Sequence, residues 1–170
     1  MEQPATAPTT KKQKMIVGWF TFTCSEDSTI LFAELLNDHF DSWTKLVEFR
    51  YLNTLKSKNS MENLDVAFIE GAISSDEQAE KLKKIRANAK YVVAIGACAC
   101  TGLPSSSRNT IPDNEKNERM KYFMEKFNYA KNVRKLEDII SVDDKVEGCP
   151  MDTKVFLEKL VKYLQIFNLM

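Results

Sequence analysis

The sequence predicts an α/β fold, a doubly wound, mostly parallel sheet with helices on both faces. Three observations carry the prediction. Apolar runs at Lys14–Thr23, Leu64–Glu70 and Tyr91–Gly96 lack the in–out alternation of a half-exposed strand, as strands covered on both faces do. Stretches with helical spacing, at Ser28–Phe40, Asp76–Asn88 and Thr153–Phe167, stand between and after them. Strands that alternate with helices favour parallel pairing, because each crossover needs a helix to return the chain to the same edge.

Taken in order, Met1–Gln13 holds Pro, Ala, Thr and Lys without periodicity and reads as a disordered tail ahead of one domain, 14–170. Lys14–Thr23 is a central strand, and Cys24–Asp27 a turn. Ser28–Phe40 carries a wide apolar face of Ile30, Leu31, Phe32, Leu35 and Leu36, with Asp27 or Ser28 placed to cap it. Trp43–Asn53 reads as a second strand and Leu64–Glu70 as a third, closed by Gly71. Asp76–Asn88 is a surface helix preceded by the capping residues Ser74 and Ser75. The next strand ends at Gly96, and Ala97–Gly102 reads as a loop of small residues. Pro104–Asn114 is a loop, and Glu115–Phe127 a helix with Met120, Phe123, Met124 and Phe127 on a core-facing side. Leu136–Ile140 is a short helix or turn, and Lys145–Glu147 a short extended piece. Asp152 caps a last helix that buries Val155, Phe156, Leu160, Val161 and Leu164.

Composition narrows the function. Among 170 residues, 24 Lys and Arg balance 24 Asp and Glu, so no basic field exists to attract nucleic acid. No apolar run approaches the roughly 18 residues of a membrane span, and the N-terminus has neither the apolar core of a signal peptide nor twin arginines. A cytoplasmic location is therefore expected, where four cysteines serve as thiols or metal ligands rather than disulfides. Neither GxxxxGK[ST] nor GxGxxG occurs, so nucleotide binding has no support.

The cysteines sit where chemistry is expected. In open α/β sheets, ligands bind beyond the carboxyl ends of the strands. Cys24 follows the first strand, Cys98 and Cys100 follow the strand that ends at Gly96, and Cys149 lies in Gly148-Cys149-Pro150. Thiolates are soft ligands suited to iron–sulfur clusters or zinc. Structural zinc sites draw their cysteines in close pairs, whereas these are scattered singly, which suits a cluster at a sheet edge better. On spacing alone the alternative stays open that they are small buried hydrophobes.

Four segments, in order, resemble the small, electron-transferring subunit of nickel–iron hydrogenases and its relative, the 20 kDa cluster subunit of respiratory complex I. They are GWFTFTCSED (Gly18–Asp27), DVAFIEG (Asp65–Gly71), VAIGACACTGLP (Val93–Pro104) and VEGCP (Val146–Pro150). The resemblance spans Met15 to Leu164. It implies a flavodoxin-like fold, one proximal [4Fe–4S] cluster and a [NiFe] hydrogenase large subunit as partner, with further electron-transfer subunits beyond it. Carried over by motif, the cluster ligands are Cys24, Cys98 and Cys149. Asp27 stands where the family pattern has its second cysteine; some oxygen-insensitive hydrogenases have this three-cysteine, one-aspartate set. Cys100, two residues from Cys98, competes with Asp27 for the fourth position. A complex I-like role is the alternative, though that relative has adjacent cysteines where Cys24-Ser25 stands here. A flavodoxin-like interaction module without a cluster is another.

Other residues have plainer readings. Glu70 resembles the family's acidic residue near the cluster, and is read either as shaping the local field or as a cap or charge partner. Glu26 reads as a solvated turn residue, His39 as a surface or capping residue, and Arg108 as a solvated loop charge or a partner contact.

Overall fold

The computed structural model describes residues 14–170, so the predicted tail, Met1–Gln13, lies outside the described residues. Five strands form one sheet: β1 (Met15–Thr21), β2 (Val47–Leu52), β3 (Leu64–Glu70), β4 (Ala89–Ile95) and β5 (Asp144–Val146). Their spatial order is β2-β1-β3-β4-β5, and every neighbouring pair is parallel. This is the flavodoxin-like doubly wound order, as predicted, with its switch point between β1 and β3. The helices are α1 (Asp27–Asp38), α2 (Phe40–Leu46), α3 (Asp76–Asn88), α4 (Gly96–Thr101), α5 (Glu118–Lys126) and α6 (Thr153–Ile166), with 3₁₀ turns at Ser105–Thr110 and Leu136–Asp138.

The two faces of the sheet carry separate cores. Trp19, Phe68 and Val93 point to one face and pack against Phe32 of α1, Trp43 of α2, and Phe156 and Leu160 of α6. Trp19 stacks on Phe32 at 4.1 Å, and Phe156 meets Trp19 edge-on at 5.9 Å, both favoured aromatic geometries. On the other face Phe20, Ala67, Ile69 and Val92 cover Leu82 and Ile85 of α3 and Ala99 of α4. All seven residues of β3 are buried, which is why that strand reads as an unbroken apolar run with acids only at Asp65 and Glu70.

The register aligns the strand ends. Thr21 pairs with Glu70, Glu70 with Ile95, and Ile95 with Val146, so these four residues form one rung across the carboxyl edge of the sheet. Cys24, Cys98 and Cys149 each stand three residues past that rung (21, 95 and 146).

Several local expectations change. Trp43–Leu46 is not strand but the end of α2, and the strand begins at Val47. The helix swings Trp43, 7% exposed, into the core, and that burial outweighs the β preference of Trp and Thr. Ala97–Gly102 is not an open loop; residues 96–101 form the short helix α4. The loop Pro104–Asn114 contains the 3₁₀ turn Ser105–Thr110. Helix α5 starts at Glu118, where the Asn117 side chain accepts from Met120 N at 2.8 Å. None of its residues is buried, so the stripe of Met120, Phe123, Met124 and Phe127 is not core. On α6, Val161 is exposed and Tyr163 is buried in its place, because Tyr163 OH reaches back to Asp144 at 2.6 Å. The caps expected for α3 and α6 form: Ser75 Oγ accepts from Gln78 N, and Asp152 Oδ1 from Lys154 N and Val155 N.

Candidate metal centre at the carboxyl edge of the sheet

Cys24, Asp27, Cys98 and Cys149 line one crevice over that rung, with Glu70, Gly96 and Gly148 around it. Four sequence-distant turns meet there because their backbones are tied together. Thr23 and Ala72 exchange N–H···O bonds of 3.0 and 2.9 Å, joining the turns after β1 and β3. Ala97 N donates to Gly148 O at 2.7 Å, joining those after β4 and β5. Ser28 Oγ, on the first turn of α1, accepts from Met151 N at 3.2 Å and closes the ring.

Two glycines permit this approach. Gly96 has φ +78°, and a Cβ there would stand 3.1 Å from Ser28 Oγ. Gly148 has φ +113°, and a Cβ would fall 2.5 Å from Pro150 O. Both lie in the region that side chains disfavour, and both bring backbone closer than any side chain allows.

Glu70 resolves one of the readings left open. It is 4% exposed, and its carboxylate accepts from Ser28 N (3.1 Å), Thr29 N (3.0 Å) and Thr29 Oγ1 (2.6 Å). Thr29 Oγ1 in turn accepts from Trp19 Nε1 at 2.9 Å. Glu70 therefore caps α1 from a neighbouring strand. The cap expected from Asp27 or Ser28 is absent: the N-cap residue is Glu26, in the left-handed region, and its side chain makes no capping bond. An anion at a helix N-terminus satisfies orphan N–H groups and complements the helix dipole.

The four predicted residues differ in environment. Cys24 is half-buried, and burial, reinforced by the Glu70 carboxylate, pushes its thiol pKa up to about 12. Cys98 is buried, with its Sγ 3.2 Å from Ser105 Oγ; Ser105 Oγ also donates to Thr23 O at 3.2 Å. Cys149 is exposed. Asp27 opens α1 and accepts from Ser25 Oγ at 2.8 Å. Cys100 does not line the crevice. Its Sγ points into the core beneath α4, toward Ala94 O (3.6 Å) and Val146 O (3.7 Å), and burial pushes its pKa up to about 11. An i, i+2 pair shares a face in a strand but not on a helix, and α4 is a helix. His39 is exposed between α1 and α2 and stacks on Trp43 at 5.3 Å, away from the crevice. Sequence reasoning offers Ser28 only as a helix cap and does not point to Ser105 or Thr23, because nothing local distinguishes them from other turn hydroxyls.

The donor set is soft at three positions and carries no cation: no Lys, Arg or His among the described residues lines the crevice. At Cys24, burial and the Glu70 carboxylate favour the neutral thiol. A thiolate at Cys24 would need a compensating positive centre. Among the described residues, no three His, Cys, Asp or Glu side chains come together closely enough to hold a single metal ion.

The chain is similar to several known proteins. The sulfhydrogenase 2 subunit delta of Pyrococcus furiosus is 29% identical over 126 residues, 72% of this chain and 52% of that protein. The gamma subunit of the coenzyme F420 hydrogenase of Methanosarcina barkeri is 29% identical over 127 residues, 73% of this chain and 41% of that one. The chain thus spans about half or less of the length of these curated relatives. In fold it is similar to a chain of an NAD⁺-reducing [NiFe]-hydrogenase solved in the H₂-reduced state, with a TM-score of 0.74, 21% identity, and coverage of 89% of this chain and 92% of that one. A family profile described as the 20 Kd subunit of NADH ubiquinone oxidoreductase matches residues 24–163, from the first cysteine of the crevice to the buried Tyr163 of α6. The chain belongs to the NADH ubiquinone oxidoreductase 20 Kd subunit family, and its relatives include hydrogenase subunits.

Proposed function

We propose that this chain is the electron-transfer small subunit of a [NiFe] hydrogenase-type complex, with one [4Fe–4S] cluster held by Cys24, Asp27, Cys98 and Cys149. The observation that carries the reading is the convergence of those four side chains on one crevice at the switch-point edge. Cysteines drawn singly from turns far apart in sequence suit a cluster better than they suit a structural zinc, which takes its cysteines in close pairs. Bound there, such a cluster supplies one-electron transfer.

The chain's own residues set the conditions. Cys24, Cys98 and Cys149 offer sulfur, and Asp27 a harder carboxylate oxygen, the more labile donor of the four. Ser105 Oγ lies within 3.2 Å of both Cys98 Sγ and Thr23 O, so its single proton would turn from the carbonyl to the sulfur when Cys98 is a ligand thiolate. Glu70 holds the first turn of α1, and with it Asp27, in place while adding negative charge that disfavours reduction. Gly96 and Gly148 let the turns that carry Cys98 and Cys149 close on Ser28 and Pro150. Cys149 is exposed, so the crevice needs a covering partner, which we assign to the hydrogenase large subunit, with further electron-transfer subunits downstream. No helix among the described residues is long and apolar enough to cross a membrane, and we place the complex in the cytoplasm.

The test is iron and sulfide analysis with paramagnetic spectroscopy on anaerobically isolated protein. About four irons and four sulfides per chain are expected, the content of one cubane, and Cys24→Ser, Cys98→Ser and Cys149→Ser should each lower both. Zinc in place of iron, or iron content indifferent to all three substitutions, refutes the assignment.

A further inference from the structure

Cys98 has a hydroxyl partner that comes from a separate part of the fold. Ser105 opens the 3₁₀ turn Ser105–Thr110, and its Oγ stands 3.2 Å from Cys98 Sγ. Among the described residues, no other side-chain hydroxyl or nitrogen lies within hydrogen-bond distance of the sulfur of Cys24, Cys98 or Cys149. The residues lining the crevice include two carboxylates, Asp27 and Glu70, and no cation. Ser25 Oγ is already committed to Asp27. Negative charge on these sulfurs therefore has one side-chain hydroxyl to meet it. The turn that carries this hydroxyl is held in place by the rest of the chain. Asn109 exchanges two 2.8 Å hydrogen bonds with the Val133 backbone. Arg108 Nη2 donates to Ala130 O at 2.7 Å, and Ser106 N to Gly102 O at 2.8 Å. A donor fixed in advance costs little reorganisation when charge appears beside it.

The bonding around Ser105 gives its proton two positions. A thiol at Cys98 donates to Ser105 Oγ while Ser105 donates to Thr23 O at 3.2 Å. A thiolate at Cys98 has no proton to give and accepts instead. Thr23 O then loses one donor but keeps Ala72 N, at 2.9 Å, so the reversal leaves that carbonyl paired. The bond gained is charge-assisted, roughly twice as strong as the neutral bond given up.

We propose that Ser105 is the positioning residue that sets the reduction potential at this site, acting through Cys98; the assignment rests on the cluster reading above. An added electron increases the negative charge on the ligand sulfurs, and a stronger Ser105 bond then favours the reduced state. One electron enters, no proton is transferred, and the Ser105 O–H bond turns without breaking. Ser105 also lines a groove of about 340 Å³ whose other wall is Met120, Phe123 and Met124, the α5 stripe that is not core. That open space accommodates one added methyl group at position 105, which permits a comparison of side chains equal in size.

Ser105→Thr keeps the hydroxyl, and Ser105→Val puts a methyl group in its place, so any effect of bulk is common to both. The full chain is isolated anaerobically, its iron counted, and its midpoint potential read from the paramagnetic spectrum during reductive titration. Ser105→Thr should keep the native potential. Ser105→Val should make reduction about tenfold less favourable, the difference between a neutral and a charge-assisted hydrogen bond, which is a fall of about 59 mV for one electron. Equal potentials in the two variants, or a rise in Ser105→Val, overturn the proposal. In the native chain, transfer into D₂O should add an exchangeable deuteron coupling to the spectrum of the reduced state, and its absence overturns the proposal even if neither variant loads. A native chain without iron overturns the cluster reading and the role of Ser105 with it. About four irons per chain with equal potentials for Ser105→Thr and Ser105→Val overturns the role of Ser105 alone.

Discussion

Glu70→Gln separates a helix cap from a mere neighbour of the crevice. The substitution keeps volume and removes charge. In the native chain two carboxylate oxygens receive three donors: Ser28 N, Thr29 N and Thr29 Oγ1. A carboxamide offers one acceptor oxygen, and its NH₂ end must face at least one of those donors. One buried N–H of the first turn of α1 is then unpaired, at about 1–3 kcal/mol. Loss of the anion at the helix N-terminus adds up to about 2 kcal/mol. Together the expected loss is about 1–5 kcal/mol, which for a chain of this size lowers Tm by roughly 2–20 °C. The assay is urea and thermal unfolding of metal-free, reduced protein by circular dichroism. Glu26→Gln, at the exposed N-cap whose side chain makes no capping bond, is the control and should cost less than about 0.5 kcal/mol. Glu70→Gln should also lower the Cys24 pKa, read from the pH dependence of alkylation. It should not return fully to the ordinary thiol value, because burial is the larger cause and Glu70 the next. If Glu70→Gln unfolds with the native midpoint, or if Glu26→Gln is the more damaging of the two, the capping argument fails.

Two further outcomes are expected from the same geometry. Asp144 is pushed upward by burial, but hydrogen bonds from Lys159, Lys162 and Tyr163, each 2.6 Å, outweigh this and hold its pKa at about 2. A depressed carboxylate stabilises the fold above its unfolded pKa of about 3.9, and the contribution is lost as pH falls through 2. The native chain should therefore lose urea resistance between about pH 5 and pH 2 more steeply than Asp144→Asn, and equal slopes count against the network. Cys100→Ala should leave the iron content of anaerobic protein unchanged, whereas Asp27→Ala should reduce it and alter the paramagnetic spectrum. The reverse pattern would make Cys100 the fourth ligand.

Local sequence determined much of this protein. Strand β3 and helix α3 are observed at the residues predicted, and the caps Ser75 and Asp152 form as predicted, because strand patterning, helical spacing and capping act within about four residues of chain. The placement of cysteines just after strands is legible for the same reason, and only the motif resemblance proposes which of them act together. Only the tertiary structure decided that Thr21, Glu70, Ile95 and Val146 share a rung, and hence that three turns project their cysteines to one place. It also decided that Glu70 caps a helix whose first turn lies 41 and 42 residues earlier, an interaction no local window contains. Helix geometry at α4 turned Cys100 into the core and away from Cys98. The Met and Phe stripe of α5 carries the pattern of a core helix yet faces a groove. Periodicity reports that a face is apolar; what that face meets depends on where the rest of the chain has already packed.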